Sequence, residues 1–459
     1  MRAVHPVPLA DHHYERMVYA AYPRTPGENP VREVTQTVTA RALYEGDEES
    51  VHIRVAGDVG AGEVFLDLAD EDWRVVRVDA AGWELLDTSP VRFTRKGASR
   101  PLPVPEHRPG ALDDLRTLVN LEDDQAWTLL VSWLVGVLHP KGSFPLLILH
   151  GEQGSAKSTL ARMVQSLMDP VVPLLRSPPR TERDLMIAAQ GGWLLTFDNL
   201  SSLTPDLSDS LCRLATGGGF ATRMLYTDDE EKVFDASRPV VMNGISQLVY
   251  REDLASRAII LSLPAIPEKG RRTEAEIDRR FEEIRSGVLG ALLDAVSTAL
   301  QRLPEVCLPT TPRMADFATW VVAAEAALPW EPGTFLESYR ENQLDIICAA
   351  IDSSYVVAAV QALVKSEGVF EGNAMQLLHT LNEVAEDDTK RSKAWPRTPR
   401  GLTNQLNRAL PLFRELGLDV THTRETTGER RRLIRISPSP ADDEPLIAKI
   451  DTGKERAAE

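Results

Sequence analysis

The residues of this chain best spaced for chemistry are Gly151-Glu-Gln-Gly-Ser-Ala-Lys-Ser158. Two glycines, a lysine and a hydroxyl, set between an apolar run and a helical one, are what a phosphate-binding loop (P-loop) requires. Successive backbone N–H groups around Gly154 and Ser155 form a nest for phosphate oxygens, and the helix that follows adds its positive end. Lys157 then reaches the outer phosphates, and the Ser158 hydroxyl takes Mg²⁺. The expected ATP contacts are Gly151, Glu152, Gln153, Gly154, Ser155, Ala156, Lys157, Ser158 and Thr159. The usual pattern has glycine directly before the lysine, where this chain has Ala156. The extra methyl is harmless if the backbone there is near helical and costly if φ must be positive.

A second group follows in Trp193-Leu-Leu-Thr-Phe-Asp198-Asn199. A carboxylate at the C-terminal end of a buried strand is where a parallel sheet presents ligands, so Asp198 is the expected second Mg²⁺ holder. A glutamate often follows in such ATPases and polarises water. Asn199 cannot act as a base, which bears on hydrolysis more than on binding. Pro239-Val-Val-Met-Asn243 is a strand ending in a polar residue, and Asn243 suits a γ-phosphate sensor. It equally suits an Asn-Gly turn with Gly244. Arg257, in Arg251-Glu-Asp-Leu-Ala-Ser-Arg257, suits a cation acting on a neighbouring subunit's phosphate, or a surface partner of Asp253 at i,i+4.

A third cluster is electrostatic. The whole chain carries −17, yet from Thr389 to Ile436 twelve Lys and Arg face four acids, a local +8. Such asymmetry is a footprint for nucleic acid. Arg400, Asn404 and Arg408 fall at i, i+4, i+8 on a predicted helix, and Arg430, Arg431 and Arg432 on a predicted strand pair. A basic face used for protein contact is the competing reading. Trp395, beside Pro396, reads as a packing anchor.

These groups need elements to hold them. Alternating short runs between Val51 and Phe93 predict a small antiparallel β unit after a polar, poorly ordered stretch over residues 1–40. Arg100–Pro109, with four prolines in ten residues, reads as a linker. One helical stretch, Leu112–Leu138, precedes apolar strands at 145–150, 192–197, 239–243 and 258–263. Helices at 158–168 and 207–216 separate them. Uniformly apolar strands alternating with helices predict an α/β fold with a parallel sheet covered on both faces. Residues 272–345 read as helical. Helices at 355–365, 373–386 and 398–416, then strands at 419–423 and 431–436, give the order of a winged helix-turn-helix. The expected domains are 1–100 (β-rich), 110–270 (P-loop core), 271–350 (helical), 351–437 (winged helix) and 438–459 (polar tail).

Composition narrows the class. With 459 residues, 43% hydrophobic and 26% charged, the chain is an ordinary multidomain globular protein. The acidic balance excludes a whole-chain basic coat. Cys212, Cys307 and Cys348 lack metal or disulfide spacing, which reads as reduced thiols in the cytoplasm. No apolar run is long enough to span a membrane, and no repeat is visible.

The order of P-loop, Phe-Asp-Asn, sensor Asn and Asp-Leu-x-x-Arg resembles superfamily III helicases of the AAA+ class. The resemblance is strongest to the phage, plasmid and poxvirus-type primase-helicases and their actinobacterial mobile-element relatives. It covers about residues 110–305 and, more weakly, the C-terminal winged helix, and rests on Gly151–Ser158, Asp198, Asn199, Cys212-Arg-Leu-Ala-Thr-Gly-Gly-Gly219, and Asn243 to Arg257. It implies a homo-hexameric ring driven by ATP along single-stranded DNA, with a channel loop near Gly217–Phe234. That loop holds Arg223, Tyr226 and Lys232, but also the acidic run Asp228-Asp-Glu-Glu231. No primase site is readable, so any primase would be a separate polypeptide. Three readings follow: a helicase or replication-initiation ATPase, an ATP-dependent DNA-binding switch or loader with weak hydrolysis, or a DNA-binding regulator in which the ATPase fold is structural, against which stand the four ordered nucleotide-site elements.

Overall fold

The structure is a computed structural model; it describes residues 28–45, 49–218, 220–223, 231–234, 237–244, 252–392, 395–424 and 432–439. Two units emerge, Met1–His52 with Pro90–Thr94, and Ile53–Ser89 with Arg95–Glu459. In the first unit helix α1 (Glu28–Glu45) precedes strand β1 (Val51–His52), which pairs in parallel with β6 (Arg92–Phe93). Residues 28–40 are thus helical, where the polar composition predicted poor order. An exposed ion pair, Arg92 Nε to Glu49 Oε2 at 2.7 Å, lies within this unit.

The second unit begins with the antiparallel meander β2 (Val55–Asp58), β3 (Glu63–Asp67), β4 (Val75–Asp79) and β5 (Gly82–Leu86). Val55, Val64, Leu66, Val76 and Val78 alternate onto one face and join the main core. The Pro-rich stretch is a docked strap rather than a free spacer. Leu102 is buried, the Glu106 N–H donates to Ser286 O (3.1 Å), and a Cβ at Gly290 would stand 2.1 Å from Glu106 O. Only glycine lets the strap lie that close. Buried Arg54 joins meander to core: its Nε donates to Asp169 Oδ1 (2.8 Å), Nη1 to Asp67 O (2.9 Å) and Nη2 to Arg100 O (3.1 Å). Asp169 Oδ2 in turn accepts from the Trp193 and Leu194 amides (2.8 and 3.2 Å).

The expected single helix at 112–138 is two, α2 (Ala111–Arg116) and α3 (Asp124–Gly136), because the Asp123 side chain starts a new helix by accepting from Ala126 N. Residues 126–136 of α3 are all buried, as befits a helix apolar on every side. Next come β7 (Leu146–Gly151), α4 (Lys157–Met168), α5 (Glu182–Gly191), β8 (Leu195–Leu200) and α6 (Pro205–Thr216). The short pair β9 (Phe220–Arg223) and β10 (Glu231–Phe234) is an antiparallel hairpin. Strand β11 (Val240–Gly244), helix α7 (Glu252–Ala255) and strand β12 (Ala258–Leu263) complete the sheet region.

The sheet is wholly parallel, in the order β12-β7-β11-β8. Its covering follows from the period of two. Leu147 and Leu149 of β7 join one core cluster while Leu146 and Ile148 join another, so both faces are packed. Strand β8 runs later than the apolar pattern indicated, since the amides of Trp193 and Leu194 are engaged by Asp169. Asp198 and Asn199 therefore lie on the strand itself.

Three long helices follow, α8 (Glu274–Arg302), α9 (Ala315–Ala324) and α10 (Thr334–Ser353). The remaining elements share a core of their own that includes Val360, Leu377, Leu402 and Ile436. These are α11 (Tyr355–Glu367), β13 (Phe370–Gly372), α12 (Ala374–Val384), α13 (Asp387–Arg391), α14 (Pro399–Arg408), α15 (Leu410–Glu415), β14 (Leu418–Arg424) and β15 (Arg432–Pro438). The helix expected over 398–416 breaks at Ala409, because Pro411 has no N–H for the ladder. Strand β13 pairs with β15, so the sheet has three strands where the pattern showed two. Among the described residues, no single helix is long and apolar enough to cross a membrane.

Candidate functional site

Strand β7 delivers the chain to the C-terminal edge of the sheet at Gly151, and α4 carries it away from Lys157. The turn between them needs unusual backbone. Gly151 has φ 154 and Gly154 φ 83, and a Cβ at Gly151 would lie 2.4 Å from Leu263 O on the neighbouring strand. Ala156, the residue at issue in the sequence, has φ 65 and ψ 25, the left-handed conformation. The position does require positive φ, and the alanine bears that strain. Ser155 is buried, and its Oγ donates to Glu152 O (2.9 Å). Glu152, Gln153 and Ser158 are exposed, and Thr159 is half-buried. The Lys157 ammonium lies within the turn, donating to Gly151 O (2.7 Å), Glu152 O (2.6 Å) and Ser155 Oγ (3.3 Å). Partial burial pushes its pKa down, opposed by the charge of Asp198. Burial also lowers His150, at the end of β7, and the Lys157 charge adds to this.

Three further side chains meet beside the lysine. Ser158 Oγ donates to Asp198 Oδ1 (2.8 Å), and Asn243 Nδ2 donates to the same oxygen (2.5 Å) while lying 3.5 Å from Ser158 Oγ. Topology accounts for the meeting: β11 lies between β7 and β8, so Asn243 stands between the turn and Asp198. The other end of the Asn243 amide accepts from the Asn199 N–H (2.6 Å). Asn199 has φ 60 and an exposed side chain. A carboxylate and a hydroxyl offer oxygens here, and the carboxamide turns its N–H donor toward them, next to a cation. Among the described residues no group of three or more His, Cys, Asp and Glu could hold a metal. Magnesium does not need one, because it keeps several waters and takes few protein ligands beside phosphate.

Arg257 is not brought to this group. It precedes β12, and its carbonyl accepts from Leu146 N (2.8 Å) at the start of β7. The loop leaves β7 at Gly151, five residues on, or roughly 16 Å away at ~3.3 Å per residue.

Sequence reasoning missed Asn120. Its Nδ2 donates to Ser155 O (3.1 Å) and Pro264 O (2.7 Å), tying the turn to the segment after β12. No spacing in the chain announces it, since its partners are distant in sequence.

In the C-terminal module, Arg400, Asn404 and Arg408 are all exposed on one side of α14, and Leu402 and Leu406 are buried on the other. The Thr398 side chain caps the helix by accepting from Gly401 N (3.1 Å). Trp395 is a packing anchor: it is buried in the module core and donates through Nε1 to Asn382 Oδ1 (2.8 Å). Arg432 begins β15, while Arg430 and Arg431 lie outside the described residues. In the hairpin, Arg223 is register partner of Glu231, and Lys232 of Thr222. Tyr226 and residues 228–230 of the acidic run lie outside the described residues.

A family model for the actinomycete integrative conjugative element replication protein matches residues 112–349, more than half of the chain. The chain belongs to this family. A second model, the RepA C-terminal domain of the same elements, matches residues 356–450 of the replication protein. The boundary between the two matches falls where α10 ends and α11 begins. No curated protein matches. Three solved structures of the NrS-1 C-terminal region align with it. Two are A-form apo structures, at 11% identity, covering 93% and 92% of this chain and 90% and 89% of theirs, with TM-scores of 0.40 and 0.38. A further apo structure aligns at 12% identity, 94% and 91% coverage and a TM-score of 0.36. Likeness this distant carries no argument.

Proposed function

We propose that this replication protein binds ATP with Mg²⁺ at the turn between β7 and α4 and couples ATP hydrolysis to movement on DNA. In this reading residues 110–270 are a P-loop ATPase core of the AAA+ class, akin to superfamily III helicases. The observation that carries it is the convergence of Ser158, Asp198 and Asn243 within 3.5 Å beside Lys157. A strand–turn–helix alone would carry much less.

The chain's own groups then have defined tasks. Lys157 exchanges the carbonyls of Gly151 and Glu152 for phosphate oxygens. Ser158 and Asp198 hold Mg²⁺, which when bound offsets charge on the phosphate being transferred. The Asn243 amide, oriented by the Asn199 N–H, holds the attacking water or a γ-phosphate oxygen. Arg257, remote from its own loop, acts on a neighbouring subunit in a ring. The C-terminal module is a winged helix whose α14 face meets duplex DNA, while the β9–β10 hairpin meets single-stranded DNA.

Lys157→Ala should lower ATP affinity at least tenfold with an unchanged fold. Titration calorimetry beside circular dichroism checks it, and unchanged affinity would refute the site. ATPase rates with and without single-stranded DNA, alongside strand displacement, then separate motor from switch. One feature favours the switch: Asn199 cannot take a proton, and its backbone is committed to Asn243.

A further inference from the structure

The segment after β12 is drawn over the phosphate-type turn. Asn120 bonds both Ser155 O and Pro264 O (3.1 and 2.7 Å), and the Ile266 N–H points to Gly154 O at 3.4 Å. A short 3-10 turn, Glu268–Gly270, then brings round Arg271. Its Nη2 lies 3.6 Å from where a Cβ of Gly154 would stand. Gly154 therefore meets a guanidinium on its open side. Arg271 is exposed, and its Nε donates to Ile266 O (3.3 Å), within its own segment.

We propose that Arg271 is a second cation of the nucleotide site, contacting the phosphate chain of the bound nucleotide from the rim of the loop at Gly154. This inference rests on the ATP reading of the turn. The chemistry favours it. A nucleoside triphosphate brings several negative charges, and Lys157 is a single compact cation. A guanidinium adds a planar fork suited to phosphate oxygens. Its tether also suits the task. The main chain of the segment is tied to the loop at Gly154 and, through Asn120, at Ser155, so the arginine is supplied in cis and travels with the loop.

The experiment measures equilibrium binding of ATP, inorganic tripolyphosphate and adenosine to the full chain and to Arg271→Ala, Arg271→Lys and Lys157→Ala. Arg271→Ala should weaken ATP and tripolyphosphate alike, by about tenfold, and leave adenosine unchanged. It should also flatten the salt dependence of ATP binding, and Arg271→Lys should recover part of the loss. Melting curves should be unaltered, since the side chain is exposed. If Arg271→Ala binds ATP like wild type while Lys157→Ala does not, this proposal falls and the ATP site stands. A loss for ATP but not for tripolyphosphate places the arginine on the base or sugar and also overturns it. If Lys157→Ala binds as wild type does, the ATP reading itself fails and Arg271 with it.

Discussion

Ala156 is held at φ 65 one residue before Lys157. A left-handed alanine costs roughly 1–2 kcal/mol, and glycine would remove that strain while loosening the unfolded chain. Ala156→Gly should therefore raise stability by about 0.5–1 kcal/mol, read as a higher midpoint in urea. A lower midpoint would mean the methyl has a packing role that outweighs the strain. His139 offers a second test. Burial depresses its pKa to about 4, against an attraction to Asp316, and it sits edge-on to Trp320 at 4.7 Å. Its folded pKa lies below the unfolded one, so the unfolded chain takes up the proton first. The stability it contributes is whole above about pH 6.5 and lost as pH falls toward 4, up to about 3 kcal/mol. Melting from pH 7.5 to 4.5 should show His139→Gln falling less steeply than wild type. Lys157, Ser158, Asp198 and Asn243 were legible in the sequence because each sits at a strand end or helix start with a recognisable local pattern. Asn120 and Arg271 were not, because tertiary path alone brings them to the loop.

At the scale of elements, α14 has two faces with separate tasks. Leu402 and Leu406 are fully buried, so Leu402→Ala should cost about 2–5 kcal/mol and loosen the module. Replacing Arg400, Asn404 and Arg408 together with alanine should leave the melt nearly unchanged and weaken duplex binding. Losing two arginines should reduce the slope of log affinity against log salt by about two, measured by fluorescence anisotropy on the full chain. An unchanged slope would assign the face to protein contact. The helical and strand periods gave most of these elements, including the sheet strands with little error. They failed where a tertiary group intervened. Asp169 engages the amides before β8 and delays that strand, and β13 is a strand only because β15 pairs with it. The strap over α8 reads as a linker by composition, since prolines in a spacer and prolines on a groove look alike.

For the whole molecule, the placement of Arg257 decides what kind of assembly the ATP reading demands. The arginine sits at the starting edge of a sheet whose finishing edge carries the loop. Within one chain the two do not meet, so a role for Arg257 in hydrolysis requires a second subunit. Arg257→Ala should bind ATP normally, hydrolyse it poorly, and depress mixed assemblies with wild type more than in proportion. Light scattering with ATP and DNA present checks the premise, and a persistent monomer would exclude it. In the sequence its place after Asn243 and the Asp-Leu-x-x-Arg motif pointed to this residue, while helical register with Asp253 offered a surface pair instead; the separation from the loop belongs to the strand order.

Strand β8 is fastened at one end and carries the candidate metal-holding carboxylate toward the other. Its entry is riveted through Asp169 to Arg54, and Arg54 is bolted to the carbonyls of Asp67 and Arg100. Asp198 lies two residues before the strand's end. In mechanical terms the meander and the strap are then ballast on the same beam as the carboxylate. Asp198 and the meander β2–β5 are thereby linked through one strand and one buried ion pair.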